Sequence, residues 1–428
     1  MNAPRAAVAP APRFSAQSLL LFAMGLALFG STFELTRIKV AGFMVHPVLL
    51  LTIPTFLLVV PRRFRFFPQS VAGAMLVFEV GWVLCGLLDT QFFYELPVKL
   101  FSTLLTVVTV ALVVRSELDY RWGVLGLALG VALMASHGLF TGDIGSETFN
   151  PVEVGNKNAF SLYALPALLL STHLILQGGW TRIYRWLLIG TSLVILVTVF
   201  SSANRSGWLG AVVVGATLLI TQQRRGATTV LVGVLLVGTI YILNTYLDVG
   251  VFERRLDQTF NGYQSDDLRE ALFQQCFWIG IDHPILGIGP YQINFELAHR
   301  VDTTMPMIGP HNAVTFLFGA GGIVLFGTWL FLGRSIWKFG NRAFGRFSIL
   351  HALIVLWVVR GCFSDEVLYS PAFAIAFGLT LGLGMNKTPV PSAPLDQAAQ
   401  KPVKAFGNVV PIVQGLRRAP APLGQLRS

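Results

Sequence analysis

Runs of apolar residues, broken by short polar loops, repeat along nearly the whole chain. A helix that crosses a bilayer core of about 30 Å needs about 20 such residues. By that measure spans are expected near residues 17–34, 40–60, 70–88, 96–114, 122–140, 158–177, 185–202, 206–222, 227–247, 311–332, 347–363 and 369–385. The fold class expected is an all-α polytopic membrane protein with about 12 transmembrane helices between residues 17 and 385. One interruption is long, residues 248–310, and the pattern inside it is partly helical. There "DDLREALFQQCFWIGI" sets Leu268, Leu272, Cys276 and Ile279 on one helical face, with Asp266 or Asp267 able to cap it and Glu270 following at box-like spacing. The "DHPILGIGPY" that comes next reads as a turn-rich connector.

Charge orients the bundle. With the N-terminus in the cytoplasm, the inner loops become "PRRFRFFPQS", "RSELDYR", "TRIYR", "QQRRG" and "GRSIWKFGNRAFGR", each carrying at least two Arg or Lys. The other side receives "DTQFFYE", "TGDIGSETFNPVEVGNKN" and "FSDEVLYS", which are acidic or nearly neutral, together with the long loop. This is a positive-inside pattern, so the loop 248–310 is expected outside the cytoplasm. Composition agrees: 54% of residues are hydrophobic, 12% are charged, and the mean hydropathy is +0.65. A soluble domain carries about twice that share of charge. The formal net charge of +10 lies in inter-helix loops, so it calls for no nucleic acid partner. The Pro/Ala-rich leader 1–16 does not resemble a cleavable signal peptide, and the Pro-, Ala- and base-rich tail 386–428 has the composition of a disordered cytoplasmic segment. Three widely spaced cysteines, Cys85, Cys276 and Cys362, suggest buried free thiols, with a Cys276–Cys362 bridge the alternative. No internal repeat is visible, which counts against a transporter built from duplicated halves.

Ionisable groups at the mouth of a bundle are costly to keep and mark functional positions. Three fall on the outer side: Arg205 in the turn "FSSANRSGWLG", Arg269 on the loop helix, and His311 at the head of the tenth span. A guanidinium is a planar, permanently charged fork suited to phosphate oxygens, and an imidazole can accept a proton near neutral pH. The set fits displacement of a phosphate-containing leaving group by a hydroxyl that the histidine deprotonates. Plainer roles exist for each. Arg205 can anchor in lipid headgroups, Arg269 can pair with Asp266, Asp267 or Glu270, and His311 can be a polar helix-start residue after Pro310. Arg254 and Arg255 are further cationic candidates. Asn312 can orient the ring, the substrate or the helix start, and Asn158 in "GNKNAF" can hold a sugar or cap a helix. Glu79 lies mid-span, while Arg360, Asp365 and Glu366 lie near the outer side and can pair with one another or bind a sugar. The histidines and carboxylates show no metal-ligand spacing, so neither metal nor cofactor is expected.

The segments "GNKNAFSLYALP", "SSANRSGWLG", "LREALFQQCFWIGIDHPILGIGPYQI" and "PHNAVTFLFGAGGIVLFG" follow in that order. Over about residues 150–335 the chain resembles the bacterial O-antigen ligase and O-antigen polymerase family, membrane glycosyltransferases that use polyprenyl-pyrophosphate-linked glycans. The resemblance implies that Arg205 and Arg269 bind the donor's pyrophosphate and that His311 activates the acceptor hydroxyl without a metal. It implies an undecaprenyl-pyrophosphate-linked glycan as donor and a glycan or lipid-A core as acceptor, at the periplasmic side of the bacterial inner membrane. The chain departs from the family pattern at Ala320, where many relatives are acidic, and at Asn204, where Ser commonly precedes the arginine. The reading is ligase-like transfer, with polymerase of the same family and polysaccharide flippase as alternatives. A dolichyl-phosphate-type transferase would carry acidic residues in a substantial first outer loop, and this chain has only "ELTRIKV" there.

Overall fold

The computed structural model describes residues 15–32, 38–40, 43–89, 95–141, 157–178, 181–202, 204–221, 226, 233, 264–301 and 308–387. The expected leader through residue 14, the span at 227–247 apart from residue 233, loop residues 248–263 and the tail from 388 lie outside them. The described residues form a helical membrane protein. Its helices are α1 (Ala16–Leu26), α2 (Pro47–Arg63), α3 (Gln69–Gly86), α4 (Glu95–Val113), α5 (Glu117–Thr141), α6 (Lys157–Gln177), α7 (Arg182–Ser201) and α8 (Arg205–Thr221). They are followed by α9 (Gln264–Asp282), α10 (Gln292–Arg300), α11 (Ala313–Phe344), α12 (Ile349–Gly361) and α13 (Pro371–Lys387). Among the described residues, seven helices are long and apolar enough to cross a bilayer, and Ala16–Gly30, Arg205–Thr221 and Ile349–Gly361 are shorter apolar helices.

Polar side chains fix several helix starts. Ser15 accepts from the Ser18 amide at the head of α1, and the Ser15 and Ser18 hydroxyls both donate to Asp119 at the start of α5. The expected span 40–60 begins late. A two-stranded antiparallel hairpin, β1 (Ile38–Val40) and β2 (Phe43–Val45), precedes it, with Ile38 opposite Val45. Helix α2 starts only at Pro47, whose locked φ and missing N–H suit the first helical position, with His46 Nδ1 accepting the Val48 amide.

The tenth span differs most from expectation. Helix α11 does not stop near residue 332 but runs to Phe344, taking in most of the basic segment "GRSIWKFGNRAFGR". Leu332, Ser335, Ile336 and Phe339 keep one face buried, while Arg334, Lys338 and Arg342 stand exposed four residues apart on the other. At its other end α11 is broken. Gly322 takes φ 56° and ψ −152°, and the connector 284–289 fills the break with its own backbone. The Ile323 amide donates to the Pro284 carbonyl at 2.8 Å and the Val324 amide to Ile285 at 3.2 Å. In the opposite sense, the Ile288 amide donates to Gly319 at 3.2 Å and the Gly289 amide to Ala320 at 2.9 Å. Both Gly287 and Gly322 have positive φ, and a Cβ on either would collide with backbone of the other segment. Ala320, the departure noted in the sequence, is fully buried in this contact.

The loop helix forms as expected but starts earlier. Helix α9 begins at Gln264, which moves Asp266 and Asp267 from capping positions into its first turn. Leu272, Cys276 and Ile279 are buried against α11, whereas Leu268 is 38% exposed because it lies beyond the residues that face α11. Helix α10 had no counterpart in the sequence reading. Asp89, just past α3, caps it by accepting the Gln292 amide at 2.8 Å and the Tyr291 amide at 3.2 Å. Burial pushes the Asp89 carboxyl upward and these amides pull it back. Arg300 then pairs with Glu296 and with Asp282, joining α10 to the end of α9. The three cysteines are free, but Cys362 is exposed rather than buried.

Two stability outcomes follow from these contacts. Gly322→Val should cost about 3 kcal/mol or more, because a side chain meets both a positive φ and the Ile285 backbone. Gly327→Ala, in the same helix with nothing near its Cβ, should be neutral or mildly stabilising. Thermal unfolding of the purified variants in detergent compares them, and equal transition temperatures would contradict the interlock. Asp89→Ala should cost about 1–2 kcal/mol and speed amide exchange across α10 while α9 stays protected. Unchanged exchange at Gln292–Arg300 would show that the cap does not hold that helix.

Candidate functional site

Helices α6, α8, α11 and α13 begin at one end of the bundle, where α7 and α12 finish. Side-chain hydrogen bonds stitch these termini together. Asn204 Nδ2 donates to Ser161 Oγ at 3.2 Å, linking the start of α8 to the start of α6. Ser370 Oγ donates to the Leu162 carbonyl at 3.3 Å, bringing in the start of α13. Asn312 Nδ2 donates to the Cys362 carbonyl at 2.9 Å, tying the head of α11 to the end of α12. Cys276 Sγ donates to the Thr315 carbonyl at 3.2 Å and docks α9 on the first turn of α11.

Arg205 is the first residue of α8 and is half-buried. Asn204 is its cap: Oδ1 accepts from the Ser206 amide at 3.1 Å, the Ser206 hydroxyl at 2.7 Å and the Gly207 amide at 3.3 Å. An asparagine caps with its oxygen and reaches α6 with its separate nitrogen, so the departure at Asn204 keeps the turn capped. A cation at the N-terminus of a helix opposes the helix dipole, and an anion in front of it would be welcomed by both.

His311 stands immediately before the cap of α11, with φ 51°. That left-handed conformation is rare for a residue with a side chain and costs about 1–2 kcal/mol. Asn312 is the cap, its Oδ1 accepting from Val314 at 2.9 Å and Thr315 at 3.1 Å, so the capping reading of Asn312 holds. Arg269 is exposed on the second turn of α9 and enters no ion pair among the described residues; Glu270 instead accepts from Gln274. Helices α9 and α11 run in the same direction, since Cys276 meets Thr315 while Ile285 meets the Gly322 break. Arg269 lies seven residues before Cys276, about 10 Å along the axis, which carries it past the first turn of α11 to the His311 end. Arg205, Arg269 and His311 thus share one end of the bundle. Asn158 falls in the first turn of α6, but its side chain lies outside the described residues, as do Arg254 and Arg255.

The same end holds an acidic cluster that the sequence reading left undecided. After α12 a 3-10 turn, Asp365–Tyr369, packs among α4, α6, α11 and α12. Burial pushes the Asp365 carboxyl upward, and the charge of His311 works against that rise. Burial and the neighbouring Asp365 also push Glu366 upward, against Arg360 and Lys99. Arg360, in the last turn of α12, is 0% exposed, and its guanidinium nitrogens find no hydrogen-bond partner. Glu366 Oε2, the Tyr369 hydroxyl and Glu79 Oε2 are buried in the same state. Trp82 of α3 meets the Tyr369 ring edge-on at 5.8 Å. The signal for this cluster was one arginine and two carboxylates within "RGCFSDE", in an otherwise apolar stretch.

Comparison with known proteins bears on this end of the bundle. No curated protein matches the chain. Residues 190–330, which include Arg205, Arg269 and His311, match the family model described as O-antigen ligase, and this match supports assigning the chain to the O-antigen ligase and polymerase family.

Proposed function

We propose that this membrane glycosyltransferase moves a glycan from undecaprenyl pyrophosphate to a sugar hydroxyl, as an O-antigen ligase does, on the periplasmic side of the bacterial inner membrane. The observation that supports the reading is that two cationic residues and one histidine lie at a single end of the bundle, each at or near a helix start. Arg205 and Arg269 hold the donor's pyrophosphate, with the amides at the head of α8 adding to the field. His311 takes the proton from the acceptor hydroxyl. The acceptor oxygen then bonds to the anomeric carbon as the bond from that carbon to the phosphate oxygen breaks. The electron pair leaves with the lipid pyrophosphate, whose growing negative charge the two guanidiniums stabilise. Preorganised donors in such roles contribute about 3–4 kcal/mol each. Direct displacement inverts the anomeric configuration, and the reaction as drawn uses neither metal nor cofactor. The acceptor is a lipid-A core oligosaccharide or another carrier glycan; a growing lipid-linked glycan would make the same chemistry a polymerase.

His311→Ala should abolish transfer, a loss of at least about a hundredfold, while the protein still inserts. Polymer analysis by gel, with an immunoblot for the membrane-inserted protein, checks this, and normal attached polymer would refute the assignment. Arg205→Lys should lower transfer by about tenfold to a hundredfold, because a point charge does not reproduce the bidentate fork. In a deletion strain, full-length polymer left unattached is the expected phenotype. Single repeat units would assign a polymerase, and glycan retained in the cytoplasm would point to transport instead.

A further inference from the structure

We propose that α9 lies in the outer leaflet of the bilayer, with the face it turns away from α11 packed against lipid hydrocarbon. Loop charge puts this helix on the outer side of the membrane as an expectation, and the surface of the helix decides between water and lipid there. One face, with Leu272, Cys276 and Ile279, is buried against α11. A helix that meets water on its other side is polar on that side. Here the other side exposes Phe273, Phe277, Trp278 and Ile281, and the connector adds Ile285 and Leu286, 66% and 40% exposed. No charged side chain falls between Leu272 and Ile281; the charges of α9 sit at its two ends, Asp266 to Glu270 and Asp282.

The partner follows from what this apolar surface adjoins. The Ile285 carbonyl accepts the Val324 amide, which sets Ile285 beside Ile323, itself 64% exposed on α11. From Ile323 the exposed side of α11 continues through Leu330 and Phe331, and α11 is long and apolar enough to cross the bilayer. Aromatic contacts run the same way, Phe277 to Phe318 at 5.8 Å and Phe318 to Phe326 at 6.4 Å. The face of α9 is therefore continuous with a side of α11 that lipid covers. Trp278 within it is a residue type enriched where hydrocarbon meets headgroups. Arg269 stands eight residues before Phe277, about 12 Å along the same axis. A helix seated in the leaflet holds it among the headgroups, so the proposed donor reaches Arg269 without leaving the bilayer. The placement of α9 stands on its surface alone and does not depend on the roles of Arg205, Arg269 or His311.

Photolabelling of the unmodified protein tests the placement. The vesicles are phosphatidylethanolamine and phosphatidylglycerol with a trace of phosphatidylcholine that carries a diazirine in its acyl chain. Adducts mapped by mass spectrometry should fall on residues 273–286, with a yield within about threefold of that at Leu330 and Phe331. A second measurement attaches a nitroxide at Phe277→Cys or Ile281→Cys in a Cys362→Ser background, where the two remaining cysteines are buried. Oxygen should relax these labels more than a water-soluble nickel chelate does, with the reverse order at Glu270→Cys. Labels at 277 and 281 that the nickel chelate reaches more readily, with no adducts on 273–286, would overturn the placement and leave the face in water. Labels that neither reagent reaches would overturn it too, because protein, such as a second copy of the chain, then covers the face. Neither failure touches the assignment of His311, which stands or falls with the activity of His311→Ala.

Discussion

Four backbone hydrogen bonds across the break in α11 hold the candidate site in register. A helix interrupted inside a membrane protein leaves amides and carbonyls without partners, and each costs several kcal/mol if nothing meets it. Here the connector 284–289 meets them, exchanging donors and acceptors with residues 319–324. The exchange needs backbone to touch backbone, which is why Gly287 and Gly322 stand at the two approach points. It fixes α9 along α11 and with it the relation of Arg269 to His311. The unusual dihedral of His311 fits this frame, since the cap at Asn312 and the bond to Cys362 constrain the backbone just after it.

Electrostatics at that end follow from what the frame gathers. Arg205 stands where α8 already offers a positive field, and Arg269 overhangs the same end from α9. An anionic headgroup at this end would meet the field of α8 and both guanidiniums. Beneath lies the opposite case: Arg360, Glu366 and Glu79, buried polar groups with unmet hydrogen-bond capacity. Removing one member of such a set leaves the remaining buried charge less compensated.

Much of this was legible from residue patterns. Apolar run length marked the helices because a bilayer imposes a length, and Leu272, Cys276 and Ile279 marked the face of α9 because helical period and burial coincide there. The helix α10 was not legible, since its cap, Asp89, lies some two hundred residues earlier in the chain. Nor was the break in α11: the three glycines in "GAGG" do not reveal that a distant connector will complete the ladder. The basic stretch after residue 332 read as a loop because charge was counted without its four-residue spacing. Of the candidate site, Arg205, Arg269 and His311 stood out as costly charges at one side. Their common frame depends on contacts between segments far apart in sequence.

The central claim is that one end of the bundle is built to hold a lipid pyrophosphate against His311. A structure of the protein in lipid nanodiscs with undecaprenyl pyrophosphate tests it directly. The account predicts the two phosphates between the Arg205 and Arg269 guanidiniums, at the head of α8 and on the His311 side of the bundle. Pyrophosphate bound elsewhere, with either guanidinium turned away from it, would contradict the account.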